Sequence, residues 1–428
     1  MADFDAIVVG SGCAGPVAAY ELARAGKSVL VVERGTFAGA KNVSGGRLYT
    51  HSLRAVFPDF ASQAPLERRV VRERISLLAP DANTTLDFTD ARLRTEHAES
   101  YTVLRARFDP WLASKAEDAG AEYITGIPVE TLLRDGGRVT GVKAGDDEIT
   151  ADVVILTDGV NSLLTGQAVG APRPRRDQVA VGVKEIIELP ERTISDRLMC
   201  ADGEGAAWLF VGDATHGHVG GGFVYTNRTS LSVGLVATLS DLATAPTPIY
   251  QMLDDFKRHP AVAPLLAGGE VVEHSGHLVA EGGLDAMPPL VGDGVLLAGE
   301  SAMMCINAGY TVRGMDLAIA AGQIAGQQAA AALTAGDTSA AGLARYPAAL
   351  ERSFVMSDLR TVRKFPGFME HATRLFTDYP TMARDMLRQL FVVDGTPVRP
   401  LRKTLPPIAR RVGYLNLAKD AWKGARAL

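Results

Sequence analysis

The hexapeptide Gly10-Ser11-Gly12-Cys13-Ala14-Gly15 and the acid Glu33 have types and spacing suited to one piece of chemistry, the holding of a pyrophosphate-linked dinucleotide. A side-chain-free turn lets backbone N–H groups close on phosphate oxygens, and a helix opening at the last glycine turns its partial positive end to the same charge. An acid roughly 20 residues further on accepts hydrogen bonds from a ribose, and Arg34 follows it directly. Two more acids stand in comparable places. Asp158-Gly159 follows the apolar run in "ADVVILTDGVNSLL", and Gly299-Glu300 follows the run in "VLLAGESA". Glycine beside an acid at the end of a buried strand lets backbone approach a ligand while a carboxylate takes its hydroxyl groups.

These residues need elements to position them. Asp5 to Val9 reads as a strand, Val17 to Ala25 as a helix closed by Gly26, and Lys27 to Val32 as a second strand ending in Glu33. Val153 to Leu156 and the start of "VLLAGESA" read as further buried strands. Ligands on open α/β sheets gather beyond the carboxyl ends of strands. Three such ends in this order trace one extended cofactor, and that length selects FAD over NAD. After the third strand, Asn307, Ala308 and Gly309 are expected to turn backbone N–H groups toward a flavin ring. A long Ala-rich helix starting near Arg313 would aim its positive end at the N1–C2 side, where negative charge grows on reduction.

The bulk numbers exclude several classes. A net charge of −5 gives no bias toward nucleic acid. Cys13, Cys200 and Cys305 lie too far apart for an iron–sulfur centre or a disulfide framework, so a reducing, cytoplasmic setting is expected. Cys13 reads as a small residue tolerated in the turn, and Cys305 as filler near the ring. The chain enters a strand at once, so no signal peptide is expected. No apolar run is long enough to span a bilayer, which leaves only peripheral membrane contact. His216 and His218 fall in a turn without a third ligand, so no metal is expected; His274 and His277 are placed at the start of a strand.

Three stretches carry a resemblance: "AKNVSGGRLYTHSL" (40–53), "GHLVAEGGLDAMPPL" (276–290) and "NAGYTVRGMDLAIAAGQ" (307–323). With the cofactor segments, they resemble the electron-transfer flavoprotein–quinone oxidoreductase / geranylgeranyl reductase family, and within it the FixC-type flavoproteins, over nearly the whole chain. The resemblance implies that Gly45 and Gly46 permit close approach to the isoalloxazine, that Arg47 balances reduced-flavin charge, and that Arg105, in "YTVLRARFDPWLASKA", lies near the cofactor. It implies electrons arriving from partner electron-transfer flavoprotein subunits and leaving to a membrane quinone, with any iron–sulfur cluster on a separate ferredoxin-like subunit. The chain would then sit peripherally on the inner face of the cytoplasmic membrane. The sequence departs from the family in one place, with Glu300 where Asp is usual. The same fold also serves prenyl reduction of the geranylgeranyl type, a non-catalytic electron relay, and aromatic hydroxylation. Hydroxylation ranks last, because "GESAMMCINAG" lacks the His and Pro of that class.

The expected architecture is α/β: a discontinuous FAD-binding Rossmann-like domain of the glutathione-reductase type (1–75, 100–170 and 285–345), interleaved with an antiparallel sheet for the substrate or quinone (76–99 and 171–284). Period-two patterning in "QVAVGVKEIIEL" and "SLSVGLVATL" supports the sheet. A helical segment, 346–428, completes the chain and faces a partner or membrane. From Arg399 to Leu428, eight Lys or Arg accompany one acid, Asp420. The purified chain is expected to be yellow and to release FAD on denaturation; a colourless protein that stays colourless with added FAD removes the cofactor assignment.

Overall fold

The first apolar runs fold as near-continuous buried strands, as parallel strands covered on both faces must. A computed structural model describes residues 2–41, 45–96, 98–161 and 163–427. Strand β1 spans Phe4–Val9, helix α1 Gly15–Arg24 and strand β2 Val29–Glu33. Pro16 sits in the first turn of α1, where a missing N–H costs nothing. Helix α2 (Arg105–Asp118) leads into β3 (Glu122–Thr125); β4 (Asp147–Leu156) and β5 (Val295–Leu297) follow, and α3 runs over Met315–Thr334.

The five strands pair in the order β3-β2-β1-β4-β5, all parallel. Register sets Val32 beside Val9, Val9 beside Leu156 and Leu156 beside Leu297. The ladder runs one residue further on each: Gly10 N–H donates to Val32 O (2.9 Å), Thr157 N–H to Val9 O (2.9 Å) and Ala298 N–H to Leu156 O (3.0 Å). Glu33, Gly10, Asp158 and Gly299 therefore leave the sheet along one edge.

Helix α3 lies on α1 through positions without side chains. A Cβ on Gly322 would stand 2.2 Å from Ala14 O, and one on Gly326 would stand 2.5 Å from Ala18 O. Only glycine permits backbones this close. The core beneath is built from Val17, Leu48, Leu53, Phe60, Phe108 and Ile319, all with no exposed surface.

The chain divides into two compact units, one of residues 1–67, 95–179 and 277–363 and the other of 68–94, 180–276 and 364–428. The expected borders shift accordingly. The last helical stretch divides at 363/364, and its larger part groups with the second sheet. In that second unit the strands run Glu270–Ala280, Val179–Glu188, Ser230–Thr238, Gly220–Thr226, Glu204–Gly212, Leu66–Ala79. The sheet is not wholly antiparallel as expected: Glu204–Gly212 runs parallel to Leu66–Ala79, because long excursions of chain separate the two strands. Trp208, stacked on Phe210, anchors its core and donates to Ser76 Oγ at 2.8 Å. His274 and His277 lie inside Glu270–Ala280 rather than at its start.

Replacing Gly322 by Ala is expected to push α3 off α1 and destabilise the protein by about 1–3 kcal/mol. Gly367→Ala, in a helix where a Cβ meets nothing within 4 Å, is expected to be neutral or stabilising. Thermal midpoints check the pair; equal midpoints would show that the helices are not in close contact.

Candidate cofactor site

The glycines of the first turn do different work. At Gly10 (φ +97°) a Cβ would lie 2.6 Å from Thr157 O, and at Gly15 it would lie 2.0 Å from Gly10 O, so the protein's own packing demands both. Gly12 is unlike them. The nearest atom to a Cβ there is Arg105 Nη2 at 3.7 Å, so the space in front of Gly12 is kept clear for something other than protein. Ser11 Oγ is buried beside the Tyr123 phenol and makes no hydrogen bond of normal geometry. Open space, an orphaned hydroxyl and a nearby guanidinium at a helix N-terminus fit a pyrophosphate.

Arg105 is aimed by a bidentate pair one helical turn away, with Nε to Asp109 Oδ1 at 2.6 Å and Nη2 to Oδ2 at 2.7 Å. Burial works against its charge, yet Asp109, with Cys13 and Glu300 nearby, holds the guanidinium protonated well above the ordinary arginine value. Gly39 (φ +92°) permits this packing, since a Cβ there would lie 2.7 Å from Arg105 O. The same burial pushes the Cys13 thiol up to about 12 and raises Cys305 well above its usual range. A thiol raised in this way is a poor source of thiolate.

Glu33 is buried, and its oxygens are partly committed. Oε2 accepts from Ser11 N–H at 2.8 Å and Oε1 from Gly35 N–H at 2.6 Å. A carboxylate has about four acceptor positions, so room is left for ribose hydroxyls. Arg34 is exposed. On the next strand ends, Ser301 bridges two segments: its Oγ accepts from Gly159 N–H (2.9 Å) and donates to Asp158 Oδ1 (3.0 Å). Gly299 (φ +69°) brings its turn within 3.1 Å of the Ala14 methyl, measured from a Cβ built on it. The longer side chain of Glu300 reaches toward the start of α3, with Oε1 3.8 Å from a Cβ placed on Gly314.

The ring end differs from expectation in two respects. Ala308 N–H donates to Thr311 O (2.9 Å) and Gly309 N–H to Asn307 Oδ1 (3.0 Å), so neither amide is offered outward. A short hairpin, Ile306–Asn307 with Val312–Arg313, consumes them, and Asn307 Nδ2 donates to Glu281 Oε1 at 3.2 Å. Helix α3 begins at Met315, near Arg313 as expected, but it carries an acid in its first turn. Asp316 is 1% exposed; Oδ2 accepts from Arg313 Nε and Nη2 at 2.8 and 2.6 Å, while Oδ1 has no partner among the described residues. The positive end of the helix is thus partly offset by its own carboxylate.

Gly46 meets this end. A Cβ on Gly46 would stand 3.6 Å from Met315 Sδ, and Tyr49 Oη lies 2.6 Å from Thr311 Oγ1. Arg47 donates through Nη2 to Ser100 Oγ at 3.0 Å and stacks 4.5 Å above the Tyr49 ring. The preceding part of the expected loop, residues 42–44, lies outside the described residues.

Comparison with known proteins gives the family. Residues 5–95 and 97–328 match the FAD dependent oxidoreductase family, and 365–428 match the ETF-QO/FixC family C-terminal domain. The chain is 51% identical over 426 residues to the probable electron transfer flavoprotein-quinone oxidoreductase YdiS of Escherichia coli K12, covering 99% of both chains. It is 50% identical to protein FixC of Salmonella typhi, again over 99% of each. The chain belongs to the ETF-QO/FixC family. Among solved structures, a geranylgeranyl bacteriochlorophyll reductase-like protein from Thermoplasma acidophilum shares the fold, with a TM-score of 0.69 at 18% identity over 96% of this chain and 98% of that one. The flavin-dependent brominase Bmp2 shares it at a TM-score of 0.63 and 16% identity, over 95% and 98%. This ETF-QO/FixC protein is accordingly an FAD-dependent oxidoreductase.

The hydrogen bonds also set apart residues that sequence reasoning missed. Asp109 carried a readable signal, an acid four residues after Arg105 on a helix. Ser301, Thr157 and Ser100 carried none, because their value lies in bridging segments remote in sequence. Arg105→Lys retains charge but loses the fork, and FAD affinity is expected to fall about ten-fold, or 1.4 kcal/mol. Flavin fluorescence titration measures this; an unchanged affinity would place Arg105 outside the cofactor site.

Proposed function

We propose that this chain accepts electrons from a partner electron-transfer flavoprotein and delivers them to a membrane quinone. One observation carries the reading: a match at 51% identity over 99% of both chains to a relative whose name states that reaction. The strand ends support it by offering a continuous cradle for FAD, and FAD when bound supplies redox chemistry that couples unlike electron donors and acceptors.

The protein's own residues bind and orient. The turn at Gly12, the Ser11 hydroxyl and the Arg105 guanidinium would hold the pyrophosphate, Glu33 an adenosine ribose, and Asp158 and Glu300 the hydroxyl-bearing chain beyond. Gly45 and Gly46 would permit close approach to the ring, with Arg47 adding positive charge and Asn307 shaping the hairpin opposite. No side chain in this set is needed to make or break a carbon bond, which suits electron transfer better than prenyl reduction or hydroxylation. Three scattered cysteines would leave an iron–sulfur centre to a separate ferredoxin-like subunit. Among the described residues no helix is long and apolar enough to cross a membrane, so the quinone would be met from the membrane surface, which we place at the inner face of the cytoplasmic membrane.

Stopped-flow mixing of the reduced protein with quinone analogues, dioxygen and prenyl substrates tests the reading. Fast reoxidation by quinone and slow reaction with oxygen are expected; fast oxygen consumption with substrate hydroxylation would replace the assignment. Arg47→Ala should lower the flavin potential by about 30 mV, the equivalent of roughly 1.4 kcal/mol for two electrons. An unchanged potential would place Arg47 away from the ring.

A further inference from the structure

Beside the head of α3, a titratable side chain stands between solvent and a buried acid. His51 opens the short helix His51–Val56, and its side chain is 45% exposed. Its Nε2 lies 3.6 Å from Asp316 Oδ2, and its ring stands edge-on to Phe354 with centroids 4.8 Å apart. The imidazole therefore joins solvent to a carboxylate that is almost wholly enclosed.

Among the described residues, the charges that face His51 come from α3, the hairpin before it and the helix Phe354–Thr361. Asp316 Oδ2 accepts from Arg313, and Arg313 Nη1 reaches Asp358 Oδ2 at 2.6 Å. Arg54, a turn further along the histidine's own helix, is engaged by Glu99. Formally, then, two carboxylates face one guanidinium, a surplus of one negative charge that a proton on His51 would cancel. The surplus is poorly answered where it is most enclosed, because Asp316 Oδ1 has no partner, and an under-compensated carboxylate in the interior favours any cation that can form beside it. Burial disfavours the charged imidazole and outweighs the pull of Asp316. Arg313 adds to the first effect and Asp358 to the second, so His51 titrates below the ordinary histidine value.

We propose that His51 is a proton-binding site coupled to the cofactor: as electrons bring negative charge to the ring end, His51 takes up a proton from solvent. The inference rests on the proposed function and on a ring seated at the head of α3. Two electrons leave the donor for the cofactor, and one N–H bond forms on the imidazole at the expense of a hydronium ion. Negative charge close to an imidazole favours its protonated form. By reciprocity, a proton on His51 favours the reduced cofactor. His51 is thus a positioning residue for charge, acting through the Asp316 pair.

Redox titration of the FAD-loaded full chain with reductant dyes, repeated over about pH 5 to 8 where histidines change charge, tests this. One extra proton bound per two electrons adds about 30 mV per pH unit, a tenfold change in proton concentration converted for a two-electron couple. The wild type is expected to gain slope toward this limit as the pH falls. His51→Gln should lose the extra slope, and His51→Lys, charged throughout, should lose it while holding a higher potential than His51→Gln. Equal slopes in wild type and His51→Gln overturn the proposal. Histidine NMR of the oxidised FAD-loaded protein reads the pair directly: Asp316→Asn should move the His51 titration further down, and Asp358→Asn, at a partly exposed helix position, should move it less far. A His51 titration unmoved by both substitutions also overturns the proposal. No partner or quinone enters these measurements, so either failure leaves the electron-accepting reading standing, whereas a chain that takes up no FAD removes both.

Discussion

Among the places in the first unit where backbone meets backbone, three position the candidate site: Gly15 on the carbonyl of Gly10, Gly322 on that of Ala14, and Gly326 on that of Ala18. Each contact is closer than any β-carbon allows, and the candidate site depends on all three. The first folds the phosphate turn tightly against its own strand. The other two hold the long Ala-rich helix down on α1, which fixes the third cofactor segment, some three hundred residues away in sequence, beside the first. Dispersion and burial over the flanking apolar residues stabilise the arrangement, but they act only once the helices have reached this distance. Specificity of position therefore comes from absent atoms, and stability from the side chains around them.

Electrostatics in the cradle follows the same economy. Few charges are buried, and each has a named partner: Arg105 with Asp109, Arg313 with Asp316 and Asp358, Glu33 with two amides. Buried ions are tolerable only when so matched. Asp316 at the head of α3 shifts the balance near the ring, since it offsets a helix dipole that would otherwise favour anionic reduced flavin. On the proposed placement of the flavin, positive charge at that end would come from side chains such as Arg47, and the poise of the cofactor would be open to tuning residue by residue.

Much of this was legible in the sequence. Apolar runs ending in Gly10, Asp158 and Gly299 declared the strand ends, because buried parallel strands must be nearly all hydrophobic. The spacing of Gly10, Gly12 and Gly15 and the acid at Glu33 declared the turn. Less readable was anything set by register or by hydrogen-bond competition. The hairpin takes the amide of Ala308 on the Thr311 carbonyl and that of Gly309 on the Asn307 side chain, which no periodicity announces. Likewise, the parallel pairing of Glu204–Gly212 with Leu66–Ala79 joins strands whose patterns look like those of any antiparallel neighbours. The run from Leu390 to Val393 reads as core by composition, and only its surroundings reveal that none of the described residues buries it.

The two bonds made by Glu33 carry an implication for how this protein can change. Enzymes of this architecture can in principle be converted toward a phosphorylated ribose by exchanging the acid for a small neutral residue. Here that exchange would release Ser11 from one side and Gly35 from the other, slackening both loops at once. Glu33 thus ties two loops together as well as facing the ribose position, and a single substitution there would act on both.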